Sequence, residues 1–237
     1  MVAALEREVR PLVKRWRKVQ REHEGGGFTF FENGKAVLVC GGIGAEPARR
    51  ATEAAIALYQ PELVQSVGFA GALDPKLNVG EIFSPSRVID ARDGSSVETA
   101  TGRGVLVSVA AIADVEQKAK LAESYGAHAV DMEAAEVARG ARARSVRFMA
   151  VKAISDDSSF SMPSLDRFVG RDGKFCETMF AASLATRPWL WSKFFQLARN
   201  SAKASKALCA ELERYLSEGK KLDVSEPDWH PISKVIH

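Results

Sequence analysis

Val146-Arg147-Phe148-Met149-Ala150-Val151-Lys152-Ala153-Ile154-Ser155-Asp156-Asp157 is the stretch on which the fold turns. Val146 to Ile154 is a strongly apolar strand, and it runs straight into Ser155-Asp156-Asp157. Just upstream, Ala127 to Val130 is a brief apolar strand that passes directly into a helix expected from Glu133 to Arg144. Working back, Ala113 to Tyr125 is helical, Gly104 to Val109 is a strand and Val79 to Ile89 a strand region. Leu63 to Val67 is a short buried strand ending at Gly68-Phe69-Ala70-Gly71. Strands alternating with helices predict an α/β fold: a three-layer sandwich with a mixed, mostly parallel central sheet flanked by helices. In such sheets ligands gather at the carboxyl ends of strands. Three segments put glycines or acids there: Gly41–Gly44, Asp131–Glu133 and Ser155-Asp156.

The N-terminal part fits the same scheme. Val9, Leu12, Val13 and Trp16 recur at helical spacing and predict a helix over Glu6 to Gln20. A turn follows at Gly25-Gly26-Gly27. Phe28 to Phe31 and Ala36 to Cys40 form a hairpin pair around Asn33-Gly34. Gly41-Gly42-Ile43-Gly44 opens a helix to about Tyr59, stopped by Pro61. Beyond Asp157 the chain reads as helical almost to Glu218, interrupted at Pro188. The expected organisation is one catalytic domain over residues 1–218, including an aromatic and basic helix at about 188–216, followed by a polar tail at 219–237.

Composition narrows the function classes. The 237 residues carry a formal charge of +3, too weak for the basic footprint of a nucleic-acid binder. Cys40, Cys176 and Cys209 are odd in number and widely spaced, so neither a disulfide framework nor a zinc site is expected, and a reducing cytoplasm is the natural setting. The start is charged too early for a secretory signal, and no apolar run approaches the ~20 residues of a membrane-spanning helix. The four histidines show no metal spacing; His128 reads as a satisfied core residue.

Single residues leave the chemistry open. Glu8, at the turn from first strand to first helix, also suits a solvated first-turn glutamate favoured by the helix dipole. Asp131-Met132-Glu133 at a strand end serves equally as a helix cap, and Asp156 as a turn residue. The glycine cluster at 41–44 lets a ligand approach the backbone. It lacks the spacing of a dinucleotide fingerprint and the lysine of a phosphate-binding loop.

The order of the motifs is more specific. Ala4-Leu5-Glu6-Arg7-Glu8-Val9, Gly42-Ile43-Gly44, Gly68-Phe69-Ala70-Gly71-Ala72-Leu73-Asp74-Pro75 with Val79-Gly80-Glu81-Ile82, Val130-Asp131-Met132-Glu133-Ala134-Ala135 and Ala153-Ile154-Ser155-Asp156 follow one another. Over roughly residues 2 to 160 the chain resembles the nucleoside phosphorylase superfamily, nearest to methylthioadenosine/S-adenosylhomocysteine nucleosidases. That resemblance implies cleavage of a purine–ribose bond. Glu8 would activate the water, Met132 and Glu133 would hold the ribose, and Asp156 would protonate the base. Ile43, Gly44, Phe69, Ala70, Gly71 and Ser155 would line the substrate site. It implies no metal or organic cofactor, phosphate as co-substrate if the enzyme is a phosphorylase, and a homodimer. Gly173-Lys174, Arg187-Pro188-Trp189 and Gln196-Leu197-Ala198-Arg199-Asn200, with Ala204 and Leu208, resemble the tail of hopanoid-associated phosphorylases, which implies a lipid nucleoside such as adenosylhopane.

Three departures stand out. Phe69 occupies a position where the family carries serine, no aromatic residue stands near Ala110-Ala111 to stack on the base, and only Met1 to Ala4 are available for the first strand. A catalytically inactive nucleoside- or lipid-binding module is the rival these departures allow. Within enzymes, phosphorolysis would need cationic donors for a dianion. Arg49, Arg50 and Arg87 are candidates that read more simply as solvated, whereas Glu8 would repel phosphate, so hydrolysis is expected. Trp189 to Leu197, accompanied by Lys193, Arg199, Lys203 and Lys206, could pack in the usual way or lie against a membrane surface.

Overall fold

A computed structural model describes residues 1–99, 101–160 and 191–218. In chain order the elements are β1 (Val2–Ala3), α1 (Glu6–Val13), β2 (Arg17–His23), β3 (Gly26–Asn33), β4 (Ala36–Cys40), α2 (Ala45–Tyr59), β5 (Leu63–Ala72), β6 (Ile82–Phe83), β7 (Arg87–Asp90), β8 (Ser96–Glu98), β9 (Val105–Ser108), α3 (Val115–Tyr125), β10 (Ala129–Asp131), α4 (Ala134–Ala143), β11 (Arg147–Asp156) and α5 (Trp191–Glu218). All eleven strands join one mixed sheet, with β5 at its centre and β11 beside it. β11 pairs with β5 in parallel register from Arg147↔Leu63 to Ile154↔Ala70.

Both faces of the central strands are covered, which is why β11 is apolar over most of its length. Phe148, Ala150 and Ile154 pack with the alanine-rich faces of α2 and α4. Met149, Val151 and Ala153 pack with Val9, Leu12 and Val13 of α1 and Ala204, Leu208 and Leu212 of α5. α3 closes a smaller cluster over Val107, Ala127 and Val130. These layers bear out the expected sandwich.

Four element readings change. The first helix ends at Val13, not Gln20, and residues 17–23 form β2, paired with β3 from Arg17↔Glu32 to His23↔Gly26. Glu24 and Gly25 both take positive φ, the primed two-residue turn whose twist suits a hairpin. Trp16 fits the helical spacing but packs against the α1–α5 core from the bend just before β2. The glycine-rich segment 68–71 lies inside β5, because β11 hydrogen-bonds along it. The region from Val79 to Ile89 is two strands, broken at Pro85, which has no N–H for a ladder. β8, a short antiparallel partner of β7, carries no apolar alternation that would have announced it. The expected terminal helix is α5; residues 188–190, including Trp189, and the tail at 219–237 lie outside the described residues.

His128 is satisfied within the fold: its Nδ1 accepts from the Val105 N–H at 3.2 Å and its ring stacks on Phe83 at 6.3 Å. Leu208 is fully buried where α5 meets α1 and β11. Leu208→Ala should therefore cost about 2–5 kcal/mol of stability in urea unfolding. A loss under about 1 kcal/mol, the size of an ordinary surface substitution, would contradict this docking of α5.

Candidate active site

The site follows from a break in the sheet. Ser66 of β5 pairs with Ala150 of β11 on one edge and Val2 of β1 on the other. Gly71 pairs likewise with Asp156 on one edge and Val130 of β10 on the other. β1 and β10 therefore share an edge of β5, β1 running parallel to it and β10 antiparallel, so their carboxyl ends face each other. Between them Val67 to Ala70 have no strand partner on that edge. The segments that leave the two strands converge there: α1 with Glu8 after β1, and Met132-Glu133 after β10.

Glu8 is buried, and its carboxylate accepts from the Leu5 N–H at 3.2 Å and from the Phe69 N–H. The second bond satisfies a backbone donor that a neighbouring strand would otherwise take. Gly68 makes room for it: a Cβ there would lie 3.1 Å from Glu8 Oε2, and Gly68 has a positive φ of 150°. Burial raises the proton affinity of Glu8 above the ordinary glutamate range, with Lys152 and the two N–H donors working against it.

Glu133 stands at the N-cap position of α4 with its side chain turned away from the helix N–H groups. Its Oε1 accepts from the Gly44 N–H at 2.8 Å and its Oε2 from the Met132 N–H at 3.3 Å. The glycine loop at 41–44 therefore reaches the acidic strand end across 89 residues of sequence. Burial, then repulsion from Asp131, pushes the Glu133 carboxyl up to about 7.

Beneath these two carboxylates lies Lys152, 1% exposed, a residue that sequence reasoning passed over. Its Nζ pairs with Asp131 Oδ2 at 2.8 Å and donates to Ser66 Oγ at 3.0 Å. Burial disfavours its charge, but Asp131, Glu133 and Glu8 outweigh that and raise its pKa. A lysine inside an otherwise apolar run was the available signal, since a fully buried ammonium requires anionic partners. Asp131 itself does structural work: it also accepts from the Ser108 hydroxyl and from the Ala134 N–H at 2.9 Å.

Asp156 lies across β5 from the gap, on β11, with its carboxylate against Gly71. The register slips between Ile154 and Asp156, so Ser155 is the extra residue of a bulge that re-aims the aspartate. A Cβ on Gly71 would lie 2.9 Å from Asp156 Oδ2. Ser155 Oγ donates to Asp156 Oδ1 at 2.6 Å. Lys118 of α3, also unmarked by sequence reasoning, forms a buried ion pair with Asp156 Oδ2.

The remaining expected residues divide. Met132 and Ile43 are half-buried in the loops that bring Glu133 and Gly44 together, and Ala70 is buried in β5. Phe69 lends the site its N–H, while its ring packs with the α1–α5 core. Arg49 is engaged with Glu46 and Glu53, Arg50 lies over the Phe28 ring, and Arg87 pairs with Glu98. Among the described residues, no group of His, Cys, Asp and Glu is arranged to hold a metal, and no helix is long and apolar enough to cross a membrane.

Comparison with known proteins agrees with this architecture. The chain is 32% identical over 93 residues to a 5′-methylthioadenosine/S-adenosylhomocysteine nucleosidase of Marinomonas sp. (strain MWYL1), a match covering 38% of this chain and 40% of that relative. Among solved structures, it is similar to the 5′-methylthioadenosine nucleosidase of Arabidopsis thaliana at a TM-score of 0.71 and 16% identity, over 94% of this chain and 96% of that one. It is also similar to the futalosine hydrolase of Helicobacter pylori strain 26695 at a TM-score of 0.68 and 16% identity, over 92% and 96%. At that identity the structural likeness concerns the fold. The sequence profile described as "Phosphorylase superfamily" matches residues 1–111 and 95–181. With most of its length accounted for by that profile, the chain belongs to the phosphorylase superfamily.

Proposed function

We propose that the chain hydrolyses the N-glycosidic bond of an adenine nucleoside. The observation that carries this reading is the unpaired edge of β5, where Glu8 and Glu133 meet over Lys152 with Asp156 a few residues along the strand. Cleavage of such a bond passes through a sugar with oxocarbenium character. It needs a proton for the leaving base, a hold on the hydroxyls and an incoming oxygen. Asp156 supplies the proton to the base. Glu133 accepts from the ribose hydroxyls, with Met132 against the sugar. Glu8 takes a proton from water as the water attacks C1′; its raised proton affinity brings it closer to the range where a general base works best. Lys152 holds Glu8 and Glu133 near each other in spite of their like charge.

Two features favour water over phosphate. Two acidic side chains at the attack site would repel a dianion, and Arg49, Arg50 and Arg87 are occupied elsewhere. The relatives named as nucleosidase and hydrolase fit this direction.

The group on the ribose 5′ carbon we assign to a lipid, as in adenosylhopane, on the resemblance of the tail and on the exposed aromatic and basic surface of α5. Phe195 is 72% exposed, and Arg199, Lys203 and Lys206 line an open groove with it. That surface suits peripheral contact with a membrane from the cytoplasmic side. The family resemblance supports a homodimer.

Base release should proceed at full rate without phosphate, and a strict phosphate requirement would overturn the hydrolytic reading. Glu8→Gln should lower kcat by about 100-fold or more with KM little changed, as loss of a general base does. Because the Glu133 carboxyl is raised to about 7, it is neutral below that pH and ionised above it. The ionised form is the better hydroxyl acceptor, so KM should fall as pH rises through about 7, and Glu133→Gln should show a high KM that no longer responds to pH in that range. Adenine release from adenosine, methylthioadenosine and adenosylhopane, compared at equal concentration, tests the 5′ group; preference for either small nucleoside would remove the lipid assignment.

A further inference from the structure

Asp156 does not stand alone as an acid. Lys118, in the first turn of α3, is 3% exposed, while its neighbours Glu116 and Lys120 pair with each other at the surface. The Lys118 ammonium donates to Asp156 Oδ2, to the Asp157 carbonyl at 2.8 Å and to the Phe160 carbonyl at 3.5 Å. The other oxygen, Oδ1, accepts from Ser155 Oγ. A carboxylate that accepts at both oxygens has no proton of its own to give. The described groups in contact with it are Lys118 from α3, Ser155 from its own strand, and the uncharged Gly71 of β5. Asp157 offers its main-chain carbonyl to Lys118, and its side chain turns to Ser159. The charges of Glu8, Glu133, Asp131 and Lys152 form their own connected set. The proton available at Asp156 is therefore the one that Lys118 carries.

We propose that the leaving base is protonated by the Lys118–Asp156 pair, with Lys118 as the positioning and proton-supplying member and Asp156 as the group that touches the base. This rests on the nucleosidase reading and deepens it. As the C1′–N9 bond breaks, its electron pair stays with the base. Asp156 receives a proton from the Lys118 ammonium and passes one to a ring nitrogen of the base, leaving Lys118 as the amine. Water bonds to C1′ and gives its proton to Glu8. Solvent then returns a proton to Lys118 and takes one from Glu8, so that nucleoside and water become free base and free sugar. A buried ammonium is a costly way to fill space and is tolerated where it is paired. A pair that also stores the reaction's proton accounts for its place against this one carboxylate.

The test is the pH profile of adenine release by the full-length chain and its variants over about pH 5 to 10, where acid and base groups are read from the limbs. Lys118→Met leaves only the carboxyl's own proton. It should lower kcat at pH 8 by about 30-fold or more, keep KM within about threefold, and move the alkaline limb of kcat down by more than one pH unit. Lys118→Arg keeps the charge but its guanidinium does not release a proton, so it should lose activity as the neutral variants do, and full activity in it would overturn the proton-supplying role. Lys118→Gln, which retains a donor, serves as a second neutral variant should the methionine not fold. An unchanged limb in both neutral variants would make Lys118 a packing residue, and a limb that moves up with a gain of activity would make it a brake; either overturns the proposal. Carbon-13 NMR of the Asp156 carboxyl gives a readout without turnover: its titration should move to higher pH in Lys118→Met. If the wild-type chain releases no base, the nucleosidase reading fails, and this titration alone decides whether the pair exists.

Discussion

Four residues of one central strand, Val67 to Ala70, lack a strand partner on one edge, and much of the site answers to that constraint. A buried backbone N–H must be paired, and here the Phe69 N–H finds the carboxylate of Glu8. The gap exists because β1 and β10 approach along the same edge from opposite directions and both stop short. Whatever follows each strand is delivered to the same place. The ends of β1 and β10 face each other although more than a hundred residues separate them. The glycine loop after β4 completes the enclosure through the bond from the Gly44 N–H to Glu133.

Such a gap brings acidic groups together inside the protein, and their charges then set the chemistry. Glu8, Glu133 and Asp131 face one ammonium, Lys152. The surplus of negative charge, added to burial, raises the proton affinity of Glu133 and keeps Lys152 charged. The same surplus disfavours an incoming anion. Across β5 the balance differs: Asp156 has its own cation, Lys118, from a helix that contributes nothing to the first cluster. The two clusters thus lie on either side of β5, which is the arrangement that the proposed cleavage between a sugar and a base requires.

Much of this was legible in the chain. Apolar runs alternating with helical spacing gave the layers, and the order of the motifs, through the family it resembles, singled out Glu8, Glu133, Asp156 and the loop at 41–44. What escaped was set by pairing between distant segments. Arg17 to His23 carries too little apolar alternation to announce a strand, and only its ladder with β3 makes it one. Residues 68–71 look like a loop because they are glycine-rich, yet the glycines are there so that Glu8 and Asp156 can lie against the strand. Lys152 and Lys118 are ordinary lysines until the fold buries them. The first broke an apolar run and could have been flagged on that ground; Lys118, on an amphipathic helix rich in charge, carried no such mark.

In the proposed reaction the broken edge of β5 holds the ribose, with the nucleoside base toward Asp156 and the attacking water toward Glu8. A crystal structure of the chain with a non-hydrolysable adenine nucleoside analogue tests it most directly. The expected result is ribose hydroxyls on Glu133, a ring nitrogen of the base on Asp156, and an ordered water between Glu8 and the anomeric carbon. An analogue bound elsewhere, with these three carboxylates untouched, would contradict it.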